Sequence, residues 1–383
     1  MYKCYLTCAR GLEKTTQVDL SPFISSSIVD KGGIKFNTDK KGLYNINMHS
    51  RTGMHLLVEL FNFKADHIDE LYNEIYNFSW NEIIDIKQTF MIRIRGNSDY
   101  FDNLNYATLK IKDAIVDKIK KINLSRPSID KKNPDIIISV FISNNKFKIY
   151  LDSSGLALHK RGYRNKIHKA ALNESLAAGL VLLSNWNKLD PFYDPMCGSG
   201  TIPIEAALIA HNIAPGLFRN NFCFQNWKDY NQKLFLDVKK KAKNNIKINH
   251  NIKIFGSDLL FPNIAMALSS AKSLELKANI KFFKMDIQDN IPLSGKGVLI
   301  INPPYGERLE NISELNLLYK MLGDTLKKNW VGFDAYIFTS NLDAAKSIGL
   351  QTSKRFVLKN GNLDCRLFHY PITIGDYNKK GSL

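Results

Sequence analysis

The sequence has no run of about eighteen apolar residues, the length a helix needs to cross a bilayer. Its opening, Met1-Tyr2-Lys3-Cys4, lacks the apolar core of a secretory leader. Together these two absences predict a cytoplasmic protein. Cysteine is scarce: Cys4, Cys8, Cys197, Cys223 and Cys365 are an odd number in a long chain. That fits reduced thiols better than a disulfide framework. Cys4 and Cys8 lack CxxC spacing and have no matching pair elsewhere, so no metal site is expected. Acidic residues are in deficit, 36 Asp and Glu against 53 Lys and Arg, and the net charge of +17 favours a polyanionic partner. Because the chain is rich in Lys, Asn and Ile throughout, where the charge is concentrated counts for more than its total. What remains is ordinary: 44% hydrophobic and 23% charged residues over 383 positions fit a globular protein of two or three domains.

The most informative stretch is Gly297-Val298-Leu299-Ile300-Ile301-Asn302-Pro303-Pro304-Tyr305. Its continuous aliphatic run reads as a buried strand of a parallel sheet. The prolines, which have no N–H to give, end that strand and leave Asn302, Pro303, Pro304 and Tyr305 just beyond it. Ligands of open α/β sheets bind at the carboxyl ends of strands. An amide, two proline carbonyls and an aromatic ring at that place suit a planar group bearing an exocyclic amine. The same four residues also make a good turn after any strand.

Upstream, Tyr5-Leu6-Thr7-Cys8 and His55 to Leu60 are short apolar segments separated by Lys31-Gly32-Gly33, the pattern of a small α+β unit, with His49 and Arg51 read as exposed loop residues. Thr89 to Arg95 alternates like a strand. Leu104, Ala107, Ile111, Ile115 and Ile119 then fall at helical spacing, with lysines on the outer face. Asp135–Ile142 and Lys146–Leu151 flank a hairpin turn at Ser143-Asn144-Asn145. The order strand, basic helix, hairpin, ending at Asp152-Ser153-Ser154-Gly155, resembles a THUMP domain, an RNA-binding module. The next segment, His159-Lys160-Arg161-Gly162-Tyr163-Arg164-Asn165-Lys166-Ile167-His168-Lys169, packs five cations and an aromatic into eleven residues. Such a composition suits phosphate contacts and base stacking, and Lys160, Arg161, Tyr163 and Arg164 are the expected RNA contacts.

A helix over Ala170–Trp186 precedes Pro191-Phe192-Tyr193-Asp194-Pro195-Met196-Cys197-Gly198-Ser199-Gly200-Thr201, a strand that turns through a glycine loop into a helix. Thr201 stands where a phosphate-binding P-loop needs lysine, and Pro203 where a dinucleotide fingerprint needs glycine. The run Asp194 to Thr201 instead resembles the cofactor loop of class I S-adenosylmethionine-dependent methyltransferases of the nucleic-acid branch. Further strands end at Asp258, suited to ribose hydroxyls, and at Asp286, suited to an adenine amine; Leu259 and Ile287 follow them as cofactor contacts. Residues 213–236 read as an insertion over the site. Arg355–Lys359 and Leu363–Phe368 flank Asn360-Gly361, a terminal hairpin of the kind that closes the class I methyltransferase sheet.

Taken with His159–Arg164, Asp194–Thr201 and Asn302–Arg308, the chain resembles the RlmL-type family, which methylates guanine N2 in large-subunit (23S) ribosomal RNA. The resemblance implies an α/β fold in which a ferredoxin-like unit (1–45) and a THUMP domain (46–155) precede a Rossmann-like methyltransferase domain (156–383). It also implies S-adenosyl-L-methionine as cofactor and RNA as partner, with no membrane and no obligate protein partner. Alternatives are a tRNA guanine-N2 enzyme, a DNA adenine-N6 enzyme, or a catalytically silent RNA-binding assembly factor.

Overall fold

The computed structural model describes residues 1–164, 172–274, 280–305 and 312–374. The stretch Asn165–Lys169, the expected helix start at Ala170, and Gly306–Arg308 lie outside these residues.

Two sheets organise the chain. Among the described residues, the N-terminal sheet has eight strands: β1 (Tyr2–Cys8), β2 (Ile28–Asp30), β3 (Gly33–Thr38), β4 (Gly53–Lys64), β5 (Thr89–Asn97), β6 (Ser128–Ile129), β7 (Ile136–Ser143) and β8 (Lys146–Asp152). They lie in the order β2-β3-β1-β4-β8-β7-β5-β6. The antiparallel pairing of β4 with β8 joins the first α+β unit to the second in one continuous surface. The helix Lys40–His49 runs through position 45, where the sequence placed a domain boundary. The basic helix forms over Leu104–Asn123, and the Asn103 side chain caps it by accepting from the Asn105 and Tyr106 N–H groups. Alternate strand residues, Leu6, Leu56, Val58, Ile138, Val140 and Ile149 among them, share one core with this helix and its neighbours.

The second sheet contains β9 (Phe192–Asp194), β10 (Ile254–Asp258), β11 (Ile280–Lys284), β12 (Gly297–Ile301), β13 (Phe333–Thr339), β14 (Lys354–Asn360) and β15 (Leu363–Pro371). Its order is β11-β10-β9-β12-β13-β15-β14. The first five in that order are parallel, and β15 runs antiparallel between β13 and β14. Gly361, at φ +59°, turns the terminal hairpin. All five residues of β12 are buried, which is why the strand carries no polar side chain. Fully burying each of its aliphatic side chains is worth about 1.5–3 kcal/mol.

Chain order reverses between β9 and β12: β10 and β11 extend one way from β9, while β12 and β13 extend the other. A crevice opens at the carboxyl ends of strands where such a reversal occurs. The ends that meet there are Asp194 and Asn302.

Insertion 213–236 does not lie over this crevice. Phe224 stacks on Tyr44 of the N-terminal unit with ring centroids 4.5 Å apart, and the Tyr44 hydroxyl accepts from the Asn231 N–H at 3.0 Å. Phe222, Phe224, Trp227 and Phe235 belong to the N-terminal core. The aromatics that read as a cover for the site instead fasten the two halves of the molecule together. His49 and Arg51 are likewise not loop-exposed: His49 stacks on Phe23 at 4.6 Å, and the Asp19 carboxylate accepts from the Arg51 backbone N–H at 2.8 Å.

Candidate active site

The glycine loop begins where β9 ends. Asp194 is 2% exposed, and its carboxylate accepts from the Met196 N–H at 3.3 Å. Burial, with a smaller contribution from the Asp258 charge, pushes this carboxyl well above its ordinary range; the Met196 N–H opposes the shift. Gly198 (φ +53°) and Gly200 (φ +77°) hold left-handed backbone that other residues rarely adopt. A Cβ at Gly200 would stand 2.8 Å from Ala267 Cβ, whereas one at Gly198 would meet nothing within 4 Å. The loop is therefore packed hard on one side and open on the other, as a cradle for a ligand must be.

Behind the loop, Thr201–Ala210 is a helix whose first-turn N–H groups have no intrahelical partner. Pro203 sits in that turn without loss, since its missing N–H would be unpaired anyway. Pro195, Cys197, Ser199 and Thr201 are buried, and Met196 is half-buried.

Asp258, half-buried at the end of β10, is tied to the loop: its Oδ2 accepts from the Gly198 N–H at 2.9 Å. Its Oδ1 accepts from the Leu260 N–H and from Asn263 Nδ2, each at 2.9 Å. Asn263 went unnoticed in the sequence; a polar residue five places after a strand-end acid was the available signal. Leu259, Leu260 and Phe261, more than half exposed, offer apolar flanks directly after Asp258. Asp286 accepts from the Gln288 N–H at 2.9 Å, while Ile287 is 4% exposed and belongs to the hydrophobic core. The expected cofactor contact at Ile287 thus has its side chain turned into the sheet packing.

Across the crevice, Asn302 is half-buried, Pro303 buried, Pro304 exposed and Tyr305 half-buried. The Tyr305 hydroxyl donates to Asn302 Oδ1 at 2.5 Å, and its ring meets Phe338 edge-on at 6.2 Å. The Pro304 carbonyl accepts from the buried Tyr319 hydroxyl at 3.4 Å, and Tyr319 also contacts Thr339 Oγ1 at 2.7 Å. The turn is thereby fixed from below by side chains of the following helix and of β13.

The basic stretch departs most from expectation. Arg161 is 0% exposed and Tyr163 1%, so neither can meet RNA. Arg161 donates to the Leu158 carbonyl at 2.8 Å, to the Ser50 carbonyl at 3.4 Å and to the Arg51 carbonyl. It also faces both oxygens of Glu205 at 3.4 Å. The Tyr163 hydroxyl donates to Glu205 at 3.2 Å. Arg164 pairs with Glu174 at 3.4 Å and donates to the Thr201 hydroxyl at the foot of the glycine loop. Of the four expected RNA contacts only Lys160 is exposed. The physical reason is that guanidinium groups are worth burying where several carbonyls and a carboxylate converge. Glu205 is the signal that was available: a lone carboxylate in the apolar helix Thr201–Ala210 requires a buried cation.

A strand-order reversal, a glycine loop joined to a strand-end acid, and Asn-Pro-Pro-Tyr on the opposite lip are the features of a class I methyltransferase. The comparisons with known proteins go further. Residues 161–369 match the RMKL-like methyltransferase domain family, residues 65–152 the THUMP domain and residues 3–57 the RlmL ferredoxin-like domain. The chain belongs to this RMKL-like methyltransferase family. It is 36% identical over 96% of its length to a Synechocystis sp. protein classed as an RNA methyltransferase, covering 96% of that protein. It is 33% identical over 97% of its length to the ribosomal RNA large subunit methyltransferase K/L of Shewanella frigidimarina, of which it spans 53%. The crystal structure of the methyltransferase SMU.472 with S-adenosylhomocysteine matches with a TM-score of 0.88 at 28% identity, covering 98% of this chain and 99% of that one. A Listeria monocytogenes structure at TM-score 0.86 and 28% identity, covering 96% of each chain, bears the name of an N6-adenine-specific DNA methylase. Among the described residues, no helix is long and apolar enough to cross a membrane, and no cluster of three or more His, Cys, Asp or Glu could hold a metal ion.

The buried acid of the loop gives a pH test. An aspartate whose folded pKa is raised contributes stability below its unfolded pKa, near the ordinary 3.8, and loses it as pH rises toward the folded value. Asp194→Asn removes this loss. In cofactor-free protein, the urea midpoint of Asp194→Asn relative to wild type should therefore climb as pH rises above about 4. A difference that does not change with pH would show that Asp194 is not held protonated.

Proposed function

We propose that this protein transfers the methyl group of S-adenosyl-L-methionine to the exocyclic N2 amine of a guanine in large-subunit ribosomal RNA. The observation that carries this reading is Asn302 at the carboxyl end of β12, beside the strand whose end holds Asp194 and the glycine loop. Asp194, Gly198 to Thr201, Asp258 and Asp286 would hold the cofactor, and the loop's open side fits it: backbone can approach a ligand there without meeting a Cβ. When bound, the cofactor supplies an electrophilic methyl group on a sulfonium.

An aromatic amine is a weak nucleophile because its lone pair is delocalised into the ring. The Asn302 side-chain oxygen and the Pro303 carbonyl would accept the two amine hydrogens and hold the nitrogen in line. Positioning then supplies much of the rate. Tyr305 would stack on a base drawn out of its helix. The methylated ammonium is acidic enough to lose its proton to water, so no general base is required. The THUMP match and the positive charge support RNA as the source of the amine.

The DNA adenine-N6 reading has one specific point in its favour, the name of the Listeria relative. One experiment separates the readings. The protein is incubated with methyl-labelled cofactor and separate pools of ribosomal RNA, transfer RNA and DNA, and the labelled nucleoside is identified after digestion. N2-methylguanosine from the large ribosomal RNA is the expected product. The same nucleoside from transfer RNA would move the substrate, and N6-methyladenine from DNA would overturn the reading.

A further inference from the structure

The N-terminal sheet has a second face, opposite its helix-packed core, and strand register fixes which residues it carries. Tyr5 pairs across to Lys35 and Leu57, Glu59 to Tyr150, Lys148 to Phe141, and Phe141 to Arg95. Side chains alternate between faces, so these residues stand together on one surface. Two grooves open on it, and strand and loop residues line both, with no helix among them. One, of about 280 Å³, is bounded by Lys3, Tyr5, Lys35, Asn37, Glu59 and Tyr150 together with Ser26 to Ile28. The other includes His55, Arg93, Arg95, Phe141 and Asp152.

Between the grooves stands an aromatic trio. The Tyr5 and Phe141 rings are 6.1 Å apart, Phe141 and Tyr150 are 5.7 Å apart, and Tyr5 and Tyr150 are 6.4 Å apart. The face carries seven cations, Lys3, Lys35, Lys64, Arg93, Arg95, Lys146 and Lys148, against three acids, Asp30, Glu59 and Asp152. Asp152 is already engaged by His55 at 2.8 Å and Arg93 at 3.3 Å, and Lys35 by Asp30. Among the described residues, Lys3, Arg95, Lys146 and Lys148 have no carboxylate within 4 Å. A solvated sheet face would need neither the rings nor this imbalance of charge.

We infer that this open face is the docking surface for an unpaired segment of the RNA substrate, with bases against Tyr5 and Phe141 and phosphates along Lys3, Arg95, Lys146 and Lys148. The inference rests on the RNA reading proposed above and adds the surface and the strandedness. Aromatic platforms between cations take single strands, because stacked bases of a duplex present no free ring faces. A groove of about 280 Å³ has room for one splayed base and none for a helix.

The test uses the full chain and a fluorescent single-stranded RNA of about twelve nucleotides, with the matching duplex as competitor. Arg95→Glu with Lys148→Glu should weaken single-strand binding at least about tenfold and flatten its salt dependence. Lys240→Glu with Lys243→Glu makes the same charge change on exposed positions of the helix Gln232–Asn244, which packs against the helix Lys40–His49, and should leave binding near wild type. Phe141→Leu keeps an apolar side chain and removes the ring; it should cost roughly five- to tenfold. Cofactor affinity, unchanged in all three, confirms that each variant is folded. Equal losses in the face and control variants, or tighter binding of the duplex, would overturn the docking surface while leaving RNA as substrate. Failure of the wild type to bind either RNA would overturn the RNA reading with it.

Discussion

Asn302→Ala should lower methyl transfer on the order of 10²–10³-fold, the scale on which one correctly aimed polar group contributes to a transition state. Cofactor affinity should change by less than about twofold, because the loss falls on the chemical step and not on ground-state binding. The separation is geometric. The cofactor loop hangs on β9 and is tied to Asp258 of β10, whereas Asn302 directly follows β12 on the other side of the crevice. Asn302→Ala also removes the bond from the Tyr305 hydroxyl, so Tyr305→Phe is the necessary control: it deletes that bond and keeps the ring. If Asn302 positions the amine, Tyr305→Phe stays active while Asn302→Ala does not. Single-turnover rates with labelled cofactor, beside calorimetric cofactor titration, read both quantities. An Asn302→Ala variant with near-normal turnover would remove the residue from the chemistry.

Strand ends were the legible part of this sequence. A buried parallel strand announces itself by unbroken aliphatic residues, as before Asn302, while Asp258 and Asn360-Gly361 mark the ends of their strands with residues that favour turns. The structure ends β10, β12 and β14 there. The eight residues from Asp194 to Thr201 were readable for a different reason: positive φ at Gly198 and Gly200 restricts the residue type locally, without help from the rest of the fold. What the sequence hid depends on partners distant along the chain. Arg161 meets Glu205, 44 positions away, and Ser50, 111 positions away, so a guanidinium that composition assigns to solvent ends in the interior. Phe222, Phe224 and Trp227 failed for the same reason. Exposed aromatics and packed aromatics look alike until the surface they meet, here around Tyr44, is known. Lys160, one residue before Arg161, remains at the surface. Alternating fates within six residues are what a connecting segment between two packed domains produces.

The largest stability effect should come from Arg161→Ala. The variant leaves Glu205, itself 0% exposed, with the hydroxyl of Tyr163 but without its cation, and strips a donor from the carbonyls of Ser50, Arg51 and Leu158. Removing one partner of a buried ion pair costs about 3–5 kcal/mol, because the remaining charge has lost its compensation. Replacing both partners by apolar residues of similar length is often close to neutral. Arg161→Met with Glu205→Leu should therefore recover much of that loss, although the carbonyls stay unsatisfied and recovery is incomplete. The cycle of two single variants and the double, measured by urea unfolding, isolates the coupling between the two side chains. The same variants decide what the basic stretch is for. If Arg161 were an RNA contact, Arg161→Ala would weaken RNA binding with unfolding unchanged, and Lys160→Ala would resemble it. If it fastens the N-terminal unit to the helix behind the cofactor loop, Arg161→Ala unfolds early while Lys160→Ala has an unchanged midpoint. One partner of Arg161, Glu205, sits on the helix that begins at Thr201. Loss of the pair should accordingly reach the cofactor site as well, raising the cofactor Kd in conditions where the variant is still folded.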